Sequence, residues 1–404
     1  MSLIFLGIAF LTIILLLARK RPLYQAILGG LVMTALLFRI PFSAIVGQTA
    51  NVFLNWGSFS VLVSLYLITY LQRMLEARDQ IKLTQKDLNG LFHNRRVNAA
   101  GASLFIGLLP SAAAMILCGD IVKDATEGYL EPKEQAFVTS WFRHIPESTL
   151  PTYSGVLLLT TLSGVALGPF MLGMIIPMLV LGMIAYFPYL RKIPTDPGTP
   201  KSQNRKKDAF GLFQHLWSLL LILVLILAFK LSVVPAVAIV LVLAAIVYRF
   251  SASDLLHFTR SAFEVKLLLN SFLVLVLKEF IAYTGVLEEL PALLSALPIP
   301  AYLVFALLFL VGGIVSGSQG IIALATPLAF TALNGGTPLA ILLMCMCHAA
   351  SMISPTHVCL VVAADYYHIT MGELIRKSIL PALTFAALMV GYYQMLMLFF
   401  SYLG

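Results

Sequence analysis

Charge is the scarcest commodity in this sequence. Of 404 residues only 11% are Asp, Glu, Lys or Arg, against 60% hydrophobic, and the mean hydropathy is +0.95. Soluble domains carry about 25% charged residues, so a soluble globular domain is excluded and the fold class is an all-α polytopic membrane protein. Cysteine is rare as well. The four, Cys118, Cys345, Cys347 and Cys359, all lie in apolar segments, which gives no disulfide framework. Cys345-x-Cys347-His348 has the residue types of a metal site, yet it reads as part of a membrane helix, and no metal is expected. No G-x-x-x-x-G-K-S/T loop occurs, so ATP drive would need a separate subunit. G-x-S-x-G and H-E-x-x-H are missing too, which argues against an intramembrane enzyme; no cofactor is expected. The net charge of +8 is not a nucleic-acid signal, because the Lys and Arg residues cluster in short loops between apolar runs. The first apolar run, Leu3 to Ala18, is followed rather than preceded by Arg19-Lys20-Arg21. That polarity is wrong for a cleaved signal peptide and suits a first span.

Apolar runs of spanning length, about 17–25 residues, occur near 2–18, 22–39, 56–76, 168–190, 210–230, 233–250, 262–284 and 378–402. Two further regions, 98–165 and 300–366, are apolar but interrupted by Gly, Pro and polar residues. Basic residues concentrate in alternate loops: Arg19 to Arg21, Arg73 to Arg96, Arg191 to Lys207, Arg249 to Lys266, and Arg376-Lys377. The positive-inside rule then places both termini outside a cell inner (plasma) membrane and the linker in the cytoplasm.

The centre of the chain is the stretch RHIPESTLPTYSG, Arg143 to Gly155. Proline removes a backbone donor and clashes with the preceding turn, so Pro146 and Pro151 should break a membrane helix here. A shift of 204 positions lays His144 on His348, Pro151 on Pro355, Thr152 on Thr356, Gly168 on Gly372 and Pro177 on Pro381. Five matches at one offset predict a duplicated unit. Counting crossings between basic loops leaves room for a re-entrant hairpin in each copy. The tips are expected at Gly107-Leu-Leu-Pro-Ser-Ala-Ala-Ala114 and at Ile314-Val-Ser-Gly-Ser-Gln-Gly320.

The expected organisation is a first repeat at 1–190, with a hairpin at about 98–131 and a broken span at 136–165. A basic cytoplasmic linker follows at 191–209. The second repeat is 210–404, with a hairpin at 300–334 and a broken span at 338–366. Each repeat has three scaffold spans, a hairpin, a broken span and a final span. Ten crossings and two hairpins result. An odd number per repeat inverts the second copy, a layout of many secondary transporters with a midplane site. Irregular backbone survives in a bilayer only inside protein or beside a wet cavity, so four interruptions predict one shared cavity.

The signatures GLLPSAAAM, SGSQGIIALATP and SMISPTHVCLVVAADYY, with this layout, resemble a little-characterised ten-span family of the ion transporter superfamily. That superfamily includes divalent-anion/sodium symporters, gluconate permeases and C4-dicarboxylate carriers. The resemblance implies anion transport and a homodimer. In the dicarboxylate symporters the tips and breaks carry Ser-Asn-Thr motifs for sodium and carboxylates. Here they read Pro110-Ser111-Ala112, Ser316-Gly317-Ser318, Ser148-Thr149 and Ser354-Pro355-Thr356, without Asn.

Candidate substrate or ion ligands are therefore Ser111, Ser148, Thr149, Thr152, Ser316, Ser318, Ser354 and Thr356, whose hydroxyls lie beside freed backbone groups. The bland alternative is that they satisfy the backbone or let helices approach closely. His144, His348 and His357 titrate near neutral pH and could carry coupling protons or bind an anion, or simply bond freed carbonyls. Glu147 could carry a proton or pair with Arg143. Asp365 reads as a surface or gate residue, and Lys278-Glu279 as a structural set. The expected function is a secondary active transporter of a small, organic anion, with H+ the coupling ion and Na+ the alternative. Symport is the expected mode. A passive anion channel is the main competing reading.

Overall fold

The computed structural model describes residues 2–19, 21–107, 113–196, 204–289, 292, 298–355 and 357–403. The described residues are helical, with no strand among them. Among the described residues, five helical runs are long and apolar enough, by length and composition, to cross a bilayer: Trp56–Ala77, Leu167–Tyr186, Arg205–Leu227, Ala301–Ala332 (two arms joined at a kink) and Met371–Phe399. Shorter apolar helices include Leu23–Leu37, Phe42–Leu54 and Val233–Val247.

Lipid-facing and buried helices separate cleanly. Leu28, Val32 and Leu36 on one short helix, and Val242 and Ile246 on another, are exposed. In contrast every residue from Gln135 to His144 is buried, as is every residue from Pro338 to Ser351. These two segments begin the broken spans, and they form the centre around which the other helices pack. Burial there includes Gln135, Thr139, Ser140, Arg143 and His144. Each polar group in that setting needs a partner or a task. Gln135 donates to Thr126, Thr139 and the Tyr367 hydroxyl lie 2.8 Å apart, and Ser140 turns back to the Ala136 carbonyl.

Both breaks form where the prolines predict them. Helix Pro132–His144 starts on a capping box between Glu131 and Glu134 and gives way to a 3-10 turn over Ile145–Ser148. The chain resumes as helix Ser154–Ser163. In the second half, helix Gly336–Ser351 stops before Pro355 and helix Val358–Tyr366 follows His357. The first broken span therefore starts at Pro132 rather than 136, and the second at Gly336 rather than 338.

The second hairpin runs over Ala301–Ala332 and turns at Gly317, whose φ of 73° and ψ of 164° only glycine adopts readily. A straight helix would hold residues 312 and 321 about 13 Å apart. Instead a Cβ on Gly312 would lie 2.5 Å from the Ile321 Cδ1, so the chain doubles back. The first hairpin pairs the run Arg95–Ile106, which contains a π turn over Asn98–Ala102, with helix Ala113–Thr126. Ile106, Cys118 and Ile121 pack between the arms. The expected tip segment, Ser111 included, lies outside the described residues except for its first residue, Gly107, and for Ala113 and Ala114.

Element limits recur along the chain. Helix starts at Pro132, Ser154 and Leu167 return at Gly336, Val358 and Met371, all at the shift of 204. Leu23 and Phe42 return at Val233 and Ala252 at a shift of 210. Left-handed residues follow the same offsets: Gly164 and His368, then Arg39 and Arg249.

Three features depart from the expected layout. Phe42–Leu54 and Ala252–Ser261 are separate amphipathic helices, and Gln80–Phe92 is a helix where a basic loop was expected. The linker is shorter than 191–209, because helix Arg205–Leu227 has begun by residue 205, capped by the Asn204 side chain. On the second arm of the first hairpin, Asp120 accepts from the Tyr366 hydroxyl, while Lys123 and Asp124 are exposed.

Several of the basic stretches are tied to neighbouring elements by ion pairs and hydrogen bonds. Arg73 pairs with Glu264 at 2.6 Å, Lys377 with Glu134 at 3.2 Å, and Arg78 donates to the Tyr248 carbonyl. Arg95 and Arg96 donate to the carbonyls of Asp196 and Ile193, and Arg205 donates to that of Leu91.

Candidate functional site

Each hairpin seats on the break of its own half. Gly107 comes so close to the first break that a Cβ there would lie 2.2 Å from the Arg143 carbonyl oxygen. The Gly107 carbonyl accepts from the Tyr153 hydroxyl. In the second half, Ser354 donates to the Ile314 carbonyl at 2.8 Å and the Cys347 thiol reaches the Ser318 carbonyl at 3.6 Å. The halves then cross. Gln319, on the second hairpin, donates to the Ser154 hydroxyl at the start of the first half's resumed helix.

Around this crossing lie two adjoining spaces that share lining residues. The larger, about 280 Å³, is lined by Thr69, Gln72, Arg143, Glu147, Thr152, Tyr153, Ser154, Glu264, Gln319 and Cys359, together with Leu65, Ile68 and Leu267. Gln72 and Glu264 belong to its rim at the basic end, because Glu264 pairs there with Arg73. A smaller recess of about 60 Å³ shares Glu147, Tyr153, Ser154 and Gln319, and adds Ser148, Ser318, His348 and Ser351. A third cavity, about 720 Å³, opens near the opposite end of helix Trp56–Ala77, between Trp56, Ser60, Ser64, Thr160, Lys230 and Ser232. Helices Trp56–Ala77 and Ser154–Ser163 line both the 280 Å³ and the 720 Å³ spaces, from opposite ends.

The charged group at the centre is Arg143, buried at the end of helix Pro132–His144. Its guanidinium lies 3.5 Å from Glu147, and the same carboxylate oxygen lies 3.5 Å from His144 Nε2. His144 Nδ1 bonds the Ser140 carbonyl, while its Nε2 faces His357 Nε2 at 2.9 Å. An acid, a guanidinium and two imidazoles therefore form one group. A buried guanidinium is costly unless compensated, and Glu147 supplies one compensating charge.

The expected site residues divide accordingly. Glu147, His144 and His357 come together, and the Glu147–Arg143 pair forms. His144 and His348 do not form a unit, although they match in sequence. His348 sits between Trp141 and Phe385, at ring distances of 6.4 and 5.7 Å. Its Nε2 is buried with no partner among the described residues. Ser148 and Ser318 line the recess and Thr152 the larger cavity. The Thr149 hydroxyl is buried with no partner among the described residues. Ser316 is satisfied by the Gly312 carbonyl, and Ser354 by Ile314. Thr356, like Ser111, lies outside the described residues. Asp365 is exposed, and Lys278 and Glu279 pair at 3.7 Å.

Sequence reasoning missed Gln319, Ser154, Gln72 and Cys359 as site residues. Gln319 had a signal, since it lies inside the glycine-flanked tip SGSQG. Gln72 and Cys359 had none beyond being single polar or sulfur-bearing residues in apolar helices.

A family model described as a protein of unknown function (DUF401) matches residues 5–396, and the chain belongs to that family. A search of curated proteins finds no match. Among solved structures, the fold is similar to that of the YdaH transporter of Alcanivorax borkumensis, described as having an unusual topology. The TM-score is 0.59 and the identity 14%, over 89% of this chain and 88% of that one. At that identity the likeness is one of fold.

Proposed function

With that family membership as premise, we propose that this chain is a secondary active transporter of a small organic anion. The observation that carries the reading is Arg143, a buried guanidinium lining a cavity at a helix break. Guanidinium forks match carboxylate geometry. The resumed helix Ser154–Ser163 adds the donors and positive dipole end of its first turn, which borders the same cavity. The hairpin tip closes the opposite side through Gln319. The fold shared with a transporter and the recurring helix limits support two inverted repeats working by alternating access, with the cavities at the two ends of helix Trp56–Ala77 as its two mouths. No enzymatic step is part of this reading. The basic end, with the linker that precedes helix Arg205–Leu227, is cytoplasmic, both termini lie outside, and the membrane is the plasma membrane.

The coupling ion in this proposal is the proton, carried by Glu147 and the His144–His357 pair, with sodium the alternative. A thermal-shift screen of purified protein against organic and inorganic anions, with and without sodium and at two pH values, identifies the ligand. In proteoliposomes the parent protein should then accumulate that anion when driven by a pH gradient. Glu147→Gln and His144→Gln should keep anion exchange and lose uphill uptake, because exchange needs no net proton movement. Stabilisation by no anion refutes the anion reading. Accumulation that follows a sodium gradient at fixed pH refutes proton coupling alone.

The chain is further proposed to act as a homodimer through its scaffold helices. Leu23–Leu37 and Val233–Val247 expose apolar faces, although Val233 and Val234 also line the large cavity. The mass of the solubilised protein in nanodiscs should correspond to two chains, and a monodisperse monomer would rule this assembly out.

A further inference from the structure

We propose that His144, His357 and Cys359 form a transition-metal site where the two helix breaks cross. Their ligand atoms all lie within 4.8 Å of one another. The two imidazole rings stand 4.8 Å apart at 70°, with Nε2 turned to Nε2. The Ser140 carbonyl fixes the hydrogen of His144 on Nδ1 and leaves its Nε2 lone pair pointing at the cluster. Metal-bound histidines are oriented by this same kind of second bond. Two imidazole nitrogens at about 2.0–2.1 Å from a tetrahedral zinc ion stand roughly 3.3 Å apart. The present 2.9 Å therefore needs to open by a few tenths of an ångström, and the Cys359 sulfur, within 4.8 Å of the nitrogens, needs to close to about 3.6 Å.

Donor chemistry narrows the ion. Two imidazoles and a thiolate suit zinc, cobalt or copper, and do not suit magnesium or calcium, which take oxygen. Of the four cysteines Cys359 is the one that is only half buried, and with Glu147 it lines the 280 Å³ cavity. The cavity thus gives an entry path, and it leaves a fourth coordination position for Glu147 or a solute anion. The neighbouring Arg143 is faced by Glu147, which offsets its repulsion of a cation. No sequence spacing announces such a site, because its ligands come from both halves. A metal held there would occupy the nitrogens that the transport reading gives to coupling protons, so the two are alternatives for His144 and His357, and the test below reads no transport.

The test is a titration of the reduced, purified full-length protein with Co2+. Tetrahedral cobalt bound by a thiolate shows a near-ultraviolet charge-transfer band, which should saturate at one Co2+ per chain and be lost on adding Zn2+. Cys359→Ser should abolish the band, and His357→Gln should weaken Co2+ binding by about tenfold or more. In the unsubstituted protein, Zn2+ should slow maleimide labelling of Cys359, a readout that requires no variant to fold. A missing band with no protection by Zn2+ overturns the site. So does a band that survives Cys359→Ser, which would move the metal to Cys345, Cys347 and His348.

Discussion

Arg143→Gln is expected to abolish anion binding while leaving a folded protein. The guanidinium ends a fully buried helix segment and lines the central cavity, so no other described cation substitutes for it there. Truncating one member of a desolvated charge pair costs about 2–5 kcal/mol of binding, and 2.7 kcal/mol is about a hundredfold in affinity. The effect on folding should be smaller. The partner left behind, Glu147, has a side chain 29% exposed, so water reaches the stranded carboxylate. Arg143→Lys keeps the charge but not the two-pronged donor geometry, and should fall between the parent and Arg143→Gln. The measurement is the anion-dependent thermal shift, with exchange in proteoliposomes beside it. An Arg143→Gln protein that exchanges anion at the parent rate would remove Arg143 from the binding site.

Gly107→Ala should be among the most damaging single-methyl additions in the chain. The new Cβ would lie 2.2 Å from the Arg143 carbonyl oxygen and 3.1 Å from its carbon. Both are backbone atoms of the segment that carries the site, so neither can swing aside. Overpacking by one carbon typically costs about 1–3 kcal/mol, occasionally more, and backbone on both sides puts this case at the upper end. The hydrogen bond from Tyr153 to the Gly107 carbonyl should be lost as the hairpin is pushed off the break. Gly182→Ala is the control, because nothing lies within 4 Å of its added carbon. Thermal unfolding in one detergent should show a large drop in Tm for Gly107→Ala and almost none for Gly182→Ala. Equal Tm values would mean that the hairpin does not seat on the break as described.

The sequence made the spans and the breaks legible for simple reasons. Leu28, Val32 and Leu36 face outward and are uniformly apolar, so composition marks them. Pro146, Pro151 and Pro355 each remove a backbone donor beside polar residues in an otherwise apolar run, so the interruptions are marked as well. Apolarity does not record which interior groups face each other. His144 matched His348 by position, yet the contact is with His357, because the broken segments cross rather than lie alongside. Gln319 to Ser154 is another contact between halves that no single-chain periodicity contains. The amphipathic helices Phe42–Leu54 and Ala252–Ser261 were hidden for a different reason. Their alternation of polar and apolar residues falls beside long apolar runs, where the neighbouring spans dominate any hydropathy reading.

The peptide joining the two halves is held at both margins by the same short stretch. Arg95 and Arg96 fasten Ile193 to Asp196, and Leu91 accepts two bonds from Arg205. Helix Gln80–Phe92 is further clasped to Arg205–Leu227 by reciprocal close packing, with Gly90 against Asp208 and Gly211 against Asp87, and His215 bonds Asp87 at 2.6 Å. The described margins of the linker, up to Asp196 and from Asn204, are therefore both fastened non-covalently to the stretch Leu91 to Arg96. Arg95, Arg96 and Arg205 thus clamp the end of the first half and the start of the second to one short segment.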